Sequence, residues 1–169
     1  PAKSALITLL VSSLVTAGCS QTARVRRPVD QLVEARALTK AGKPDEAYAS
    51  FDEILKREPT NLTAHRGLVE AGYYAGKLAD LERRYRELSR QNDMRGLGHY
   101  GLALLGVARG PGHKETALAE FQKSREQMPN EADVPYRMGL VHLMDGRYLE
   151  AEKVIAEAMK LDPDRAGIR

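Results

Sequence analysis

Four histidines, His65, His99, His113 and His142, and a single cysteine, Cys19, are the side chains of this sequence best suited to metal binding or nucleophilic chemistry. Helical metal sites draw ligands from positions that share a face, and no two of these histidines stand at i and i+4. One cysteine cannot build a thiolate cage. No G-x-S-x-G segment occurs and no nucleophile stands beside a base, so acyl transfer has no carrier. Gly96-Leu97-Gly98-His99-Tyr100-Gly101 has the G-x-G-x-x-G spacing that brings backbone amides to a pyrophosphate. That chemistry needs a preceding strand, whereas ELSRQNDMR before it is polar and helical. Gly72 to Lys77 is one residue short of a phosphate loop and has Leu78 where a magnesium-binding hydroxyl belongs, so it reads as a helix end. Carboxylates such as Asp45 and Glu46, or Glu150 and Glu152, fall on amphipathic stretches and read as solvated faces. The expectation is a chain that is not an enzyme, with no catalytic residue, metal, cofactor or small-molecule substrate.

Composition points the same way. Of 169 residues, 43% are hydrophobic, 29% charged and only 5% aromatic, with no Trp, which suits helices packed through small and aliphatic side chains. An all-α fold follows. The formal charge of +3 lacks the dense Lys/Arg stripe that binding by counterion release requires, so nucleic acid is not an expected partner.

Residues 5–17, ALITLLVSSLVTA, form an uncharged apolar run behind Lys3. As a helix this run rises only about 20 Å, too short for a bilayer, and it has the layout of an export signal ahead of small residues. Those residues are Thr16, Ala17 and Gly18, followed by Cys19. The segment Val15-Thr16-Ala17-Gly18-Cys19 resembles a bacterial lipobox, with Thr16 where Leu is commoner. The resemblance implies that residues 1–18 are a signal peptide and that Cys19 becomes the lipidated first residue of the mature chain. A covalent lipid on Cys19 would anchor that chain durably to a membrane. Ser20 in place of Asp implies the outer membrane, facing the periplasm, in a Gram-negative host and the plasma membrane in a Gram-positive one. Residues 19–27, with Arg24, Arg26 and Arg27, read as a tether. Loss of Lys3 leaves the mature chain at about +2, and with Cys19 acylated no thiol is left for a disulfide. Pro1 in the place of an initiator Met implies a fragment of a longer reading frame.

The rest of the chain repeats itself. Gly42, Ala47 and Phe51 align with Gly112, Ala117 and Phe121, and with Gly146, Ala151 and Ile155; Pro59, Pro129 and Pro163 close the three units at one offset. A weaker copy has Gly76, Leu81, Tyr85 and Asp93 in those places. The frames are 28–61, 62–95, 98–131 and 132–165, with Gly96 and Leu97 read as a two-residue insertion and residues 166–169 as the start of a truncated segment. Apolar residues recur at helical spacing on both sides of each Gly, so each unit is a helix pair. The Gly ends the first helix, a small residue lets two helices approach, and Pro stops the second. Such pairs bury their apolar faces only by stacking. No capping helix follows Pro163, so further repeats or a partner are expected at that end.

This pattern resembles the tetratricopeptide repeat, which implies a right-handed superhelical solenoid. In that family the first helix of each repeat lines a concave groove. Its positions select Leu32, Arg36 and Lys40 in repeat one and Arg66, Glu70, Tyr73 and Tyr74 in repeat two. They select His99, Leu102 and Arg109 in repeat three and Tyr136, Leu140 and Leu143 in repeat four. Tyr and Arg are enriched at binding hot spots. The carboxylate clamp of some chaperone-binding relatives is absent, because Leu32, Gly67 and Ala103 hold three of its places. Arg83, Arg86 and Arg90 form a basic row on repeat two, which Glu82 and Glu87 make a solvated face.

The resemblance implies a scaffold that binds an envelope protein or peptide segment, akin to the acylated pilotins of type IV pili that serve a secretin. The alternative is an adaptor presenting substrates to a periplasmic protease or cell-wall enzyme.

Overall fold

A computed structural model describes residues 28–164, so Cys19, the signal-like run, the tether and residues 165–169 lie outside the described residues. Among the described residues there are eight α-helices and no strand. They are α1 (Pro28–Lys40), α2 (Pro44–Arg57), α3 (Leu62–Tyr74), α4 (Leu78–Leu88), α5 (Arg95–Ala108), α6 (Lys114–Gln127), α7 (Asp133–Met144) and α8 (Tyr148–Leu161), with a 3-10 turn at Pro111–His113 before α6. None is long and apolar enough to cross a membrane.

Local chemistry sets the boundaries. After the first helix of each pair, Gly42, Gly76, Gly110 and Gly146 take φ of 70°, 71°, 99° and 72°, a region where a Cβ is strained. At three of these ends the next amide reaches back to the helix: Lys43 N–H donates to Leu38 O at 3.0 Å, Lys77 to Gly72 O at 2.7 Å and Arg147 to His142 O at 2.9 Å. Pro44 then opens α2, with Asp45 and Glu46 in its first turn and Lys56 and Arg57 in its last, matching the helix dipole at both ends. The second helices α2, α6 and α8 each end two residues before Pro59, Pro129 or Pro163.

The second helices α2, α4 and α6 each pack between their own first helix and that of the next repeat. The first helices α1, α3 and α5 lie side by side, while α7 meets α6 and α8. Phe51, Tyr85 and Phe121 are fully buried between repeats. Two of these rings rest on bare backbone: a Cβ at Gly67 would lie 2.2 Å from the Phe51 ring, and one at Gly101 would lie 2.1 Å from Tyr85. Repeat two also exchanges large for small. Leu81 replaces the small residue of the second helix, and Gly72 opposite it makes room, since a Cβ there would meet Leu81 at 2.5 Å. Polar ties reinforce the stacking. Successive second helices are joined by Asp52 with Arg84 at 2.5 Å and by Arg125 with Glu157 at 3.0 Å.

The expected irregularity between repeats two and three lies in a different place from the one read in the sequence. Gly96 and Leu97 are not an insertion: both are buried inside α5. The first helix of repeat three ends at Gly110, whose φ is positive, and Gly112 belongs to the 3-10 turn. The two extra residues therefore stand between α5 and α6, and repeat three starts two residues earlier than its expected frame of 98–131. Gly112 misled because it precedes Ala117 by the same five residues that separate Gly42 from Ala47. The G-x-G-x-x-G segment sits inside a helix, where its glycines serve packing. A Cβ on Gly98 would lie 2.2 Å from the backbone nitrogen of Ser89, so only Gly lets α5 approach the end of α4 this closely.

Candidate partner-binding groove

Between α3 and α5 the chain forms an open groove of about 310 Å³. One wall is Arg66, Val69, Glu70, Tyr73 and Tyr74, the other Leu104, Val107 and Ala108, and Arg137 of α7 closes one side. Tyr73 and Tyr74 fall at the last turn of α3 and are 50% and 64% exposed, far from the buried state usual for a large ring. Their rings meet edge to face with centroids 5.3 Å apart, an arrangement that holds both against the helix end. Tyr74 also lines a second hollow of about 470 Å³ toward repeat one, with Thr39, Lys40, Gly42, Pro44 and Glu70. It stands as the partition between the two.

A buried carboxylate ties together the two arginines of this groove. Asp133, in the first turn of α7, is 3% exposed. Its carboxylate accepts from Arg66 of α3 at 2.5 Å, from the hydroxyl of Tyr100 of α5, and from Arg137 Nε at 3.4 Å. Three repeats thus meet on one carboxylate. Burial first, and then the neighbouring Asp133 charge, push the Tyr100 hydroxyl well above its ordinary pKa, so it stays a donor. The Arg66 side chain keeps 21% exposure and that of Arg137 26%, and both residues line the groove.

Five of the sequence-derived candidates bear on this surface. Arg66, Glu70, Tyr73 and Tyr74 line it together, and Lys40 joins the second hollow. Arg36 is exposed on α1, and Leu32 is partly buried against the core of repeats one and two. In repeat four, Tyr136 and Leu140 are half-buried and Leu143 is 42% exposed; none of the three lines either hollow.

The repeat-three candidates face elsewhere. His99 Nδ1 bonds Glu120 of α6 at 2.6 Å, Leu102 packs against the core of repeats one and two, and Arg109 pairs with Glu82 of α4. The cause is the two-residue frame error: with the frame started at residue 96, the inner positions of repeat three fall on Leu97, Tyr100, Leu104, Val107 and Ala108; the last three are the groove wall, while Leu97 and Tyr100 are buried. Sequence reasoning also missed Asp133 and Arg137. The signal available was an acid opening α7 with a base four residues on, which shows no link to Arg66. The basic row Arg83, Arg86 and Arg90 is exposed and locally paired with Asp80, Glu82 and Glu87.

Comparisons with known proteins bear on the fold. The tetratricopeptide repeat family matches residues 32–80. A thermophilic TPR protein of Thermus thermophilus superposes with a TM-score of 0.55 at 23% identity, over 81% of this chain and 75% of its own. A double mutant of MamA RS-1 superposes with a TM-score of 0.49 at 16% identity, over 83% of this chain and 78% of its own. No curated protein matches the sequence. With a repeat-family match over residues 32–80 and paired helices stacked from residue 28 to residue 161, the chain has the fold of a tetratricopeptide-repeat protein.

Proposed function

We propose that this chain is a membrane-anchored scaffold that holds a segment of a cell-envelope protein in the groove between α3 and α5. The observation that carries the reading is the wall of exposed Tyr73 and Tyr74 facing Leu104, Val107 and Ala108, with the partly exposed side chains of Arg66 and Arg137 beside it. An apolar trough of this kind suits an extended or helical peptide with one or two large apolar anchors. Lipidation of Cys19, outside the described residues, would keep the scaffold at the outer membrane of a Gram-negative host, where an assembly of the pilus-secretin kind is a fitting client.

The test is affinity capture from crosslinked envelopes, comparing the wild type with the Tyr73→Ala/Tyr74→Ala double variant. Both rings are exposed, so the fold is expected to keep its helical content and melting behaviour. Hot-spot aromatics contribute about 2 kcal/mol or more each to binding, so the dominant partner is expected to fall at least tenfold in yield. An unchanged partner list would move the interface off the groove.

A further inference from the structure

The groove contains one charged group whose hydrogen-bonding capacity the fold leaves largely unused. Arg137 of α7 lines the groove, and its side chain is 26% exposed. A guanidinium carries five N–H donors in a planar fork that fits a carboxylate edge to edge. Among the described residues Arg137 donates from Nε to Asp133 at 3.4 Å, and its two Nη nitrogens have no acceptor. The Tyr136 ring, with its centroid 5.5 Å from the guanidinium carbon, supports the group from one side. Arg66 differs: its Nη nitrogens donate to Asp133 at 2.5 Å and to the Thr63 hydroxyl at 3.1 Å. One carboxylate therefore serves two guanidiniums, and Arg137 is the less satisfied of the two.

The place of Arg137 along the groove determines what it can meet. Arg66 and Arg137 bind the same carboxylate, so both stand at the end of the groove nearer the start of α3. Tyr73 and Tyr74 follow Arg66 by seven and eight residues, about 11 Å of helical rise. Glu70 lies between them, exposed and on the same wall. Its charge repels a second anion and so confines a bound carboxylate to the Arg137 end. At the other end the tyrosines face Val107 and Ala108, where only apolar contact is on offer.

We infer that the groove selects a protein segment with an Asp or Glu side chain held by the Nη nitrogens of Arg137 and a large apolar side chain seated between the tyrosines and Val107. In an extended segment a separation of about 11 Å corresponds to about three or four residues, which sets the spacing of acid and anchor. The inference rests on the groove being the partner site and adds the chemistry of the segment it holds. Apolar burial supplies most of the affinity, and the guanidinium fork, able to take both carboxylate oxygens, selects the sequence. Arg137 is thus a specificity-determining residue.

Selection on the full chain in detergent tests it, from a phage library of random short peptides fused through their C-termini to the coat protein, so that every carboxylate on offer belongs to a side chain. Recovered peptides are expected to carry an acid about three or four places from a Leu, Met, Phe or Trp. For the strongest binder, made as a fluorescent peptide, exchange of the acid for its amide should weaken binding to the wild type about tenfold and to Arg137→Gln less than about twofold. Arg66 and Tyr100 still hold Asp133 in Arg137→Gln, so the fold is expected to persist. Arg137→Lys, which keeps the charge and loses the fork, should restore part of the discrimination. Binders without an acid, or equal losses on the wild type and Arg137→Gln, would overturn the inference and leave the groove standing if Tyr73→Ala/Tyr74→Ala still abolished binding. Binders indifferent to the tyrosine pair, or no binders at all, would overturn the groove reading and this inference with it.

Discussion

Asp133→Ala is expected to lower the free energy of unfolding by roughly 3 kcal/mol, the low end of the cost of leaving buried charge without its partner. The substitution strips Arg66 and Arg137 of their shared carboxylate and leaves the Tyr100 hydroxyl, in a fully buried residue, without its acceptor. The low end applies because the Arg66 and Arg137 side chains keep 21% and 26% of their exposure, so water can reach them. Chemical denaturation of the two proteins measures the difference. Tyr100→Phe removes one hydrogen bond and is expected to cost about 1 kcal/mol. Combined with Asp133→Ala, it should cost much less than the two single losses added, since the carboxylate it addressed is gone. Full additivity would mean that the carboxylate does not join these repeats.

The second large effect is on pH. His65 is 2% exposed; its Nε2 lies 2.9 Å from the Pro59 carbonyl and its Nδ1 3.0 Å from the Tyr85 hydroxyl. With Nε2 carrying the proton, the ring donates to the carbonyl and accepts from Tyr85, so the neutral imidazole satisfies every group. Burial, with the charge of Arg84, brings its pKa down from 6.5 to about 4. Because the folded pKa lies below the unfolded value, the unfolded chain binds the proton more readily between those limits. The contribution is fully present above pH 6.5 and is lost as pH falls toward 4, amounting to about 3 kcal/mol over the window. Urea denaturation between pH 7 and pH 4 should show a slope in the wild type that is largely absent in His65→Gln. Carboxylates such as Glu82 and Asp145 titrate lower and affect both proteins alike. Equal slopes would mean that His65 is not held neutral.

Much of this architecture can be read from the chain because its signals are local and recur. Gly42, Ala47, Phe51 and Pro59 mark a helix end, a close approach, a core ring and a stop within eighteen residues, and the set returns along the sequence. The register of repeat three was not legible, since Gly110 and Gly112 are both available to end α5 and only the backbone conformation decides between them. That error of two residues moved His99, Leu102 and Arg109 onto the groove and Leu104, Val107 and Ala108 off it. The Asp133 cluster was hidden for a different reason. Its partners lie 33 and 67 residues away, a distance that helical spacing cannot reveal. Gly98 and Gly101 were visible as glycines, but the reason for them is the Ser89 backbone and the Tyr85 ring, which belong to the preceding repeat.

The proposed function has a partner segment lying against α3 and α5 in the register set by Gly110. Photo-crosslinking in intact cells addresses it directly, with a photoreactive phenylalanine analogue placed at Val107 or at Arg109 in turn. A discrete adduct is expected from position 107, on the groove wall, and none from position 109, which faces Glu82 of α4. An adduct from 109 with none from 107 would contradict both the groove and its register.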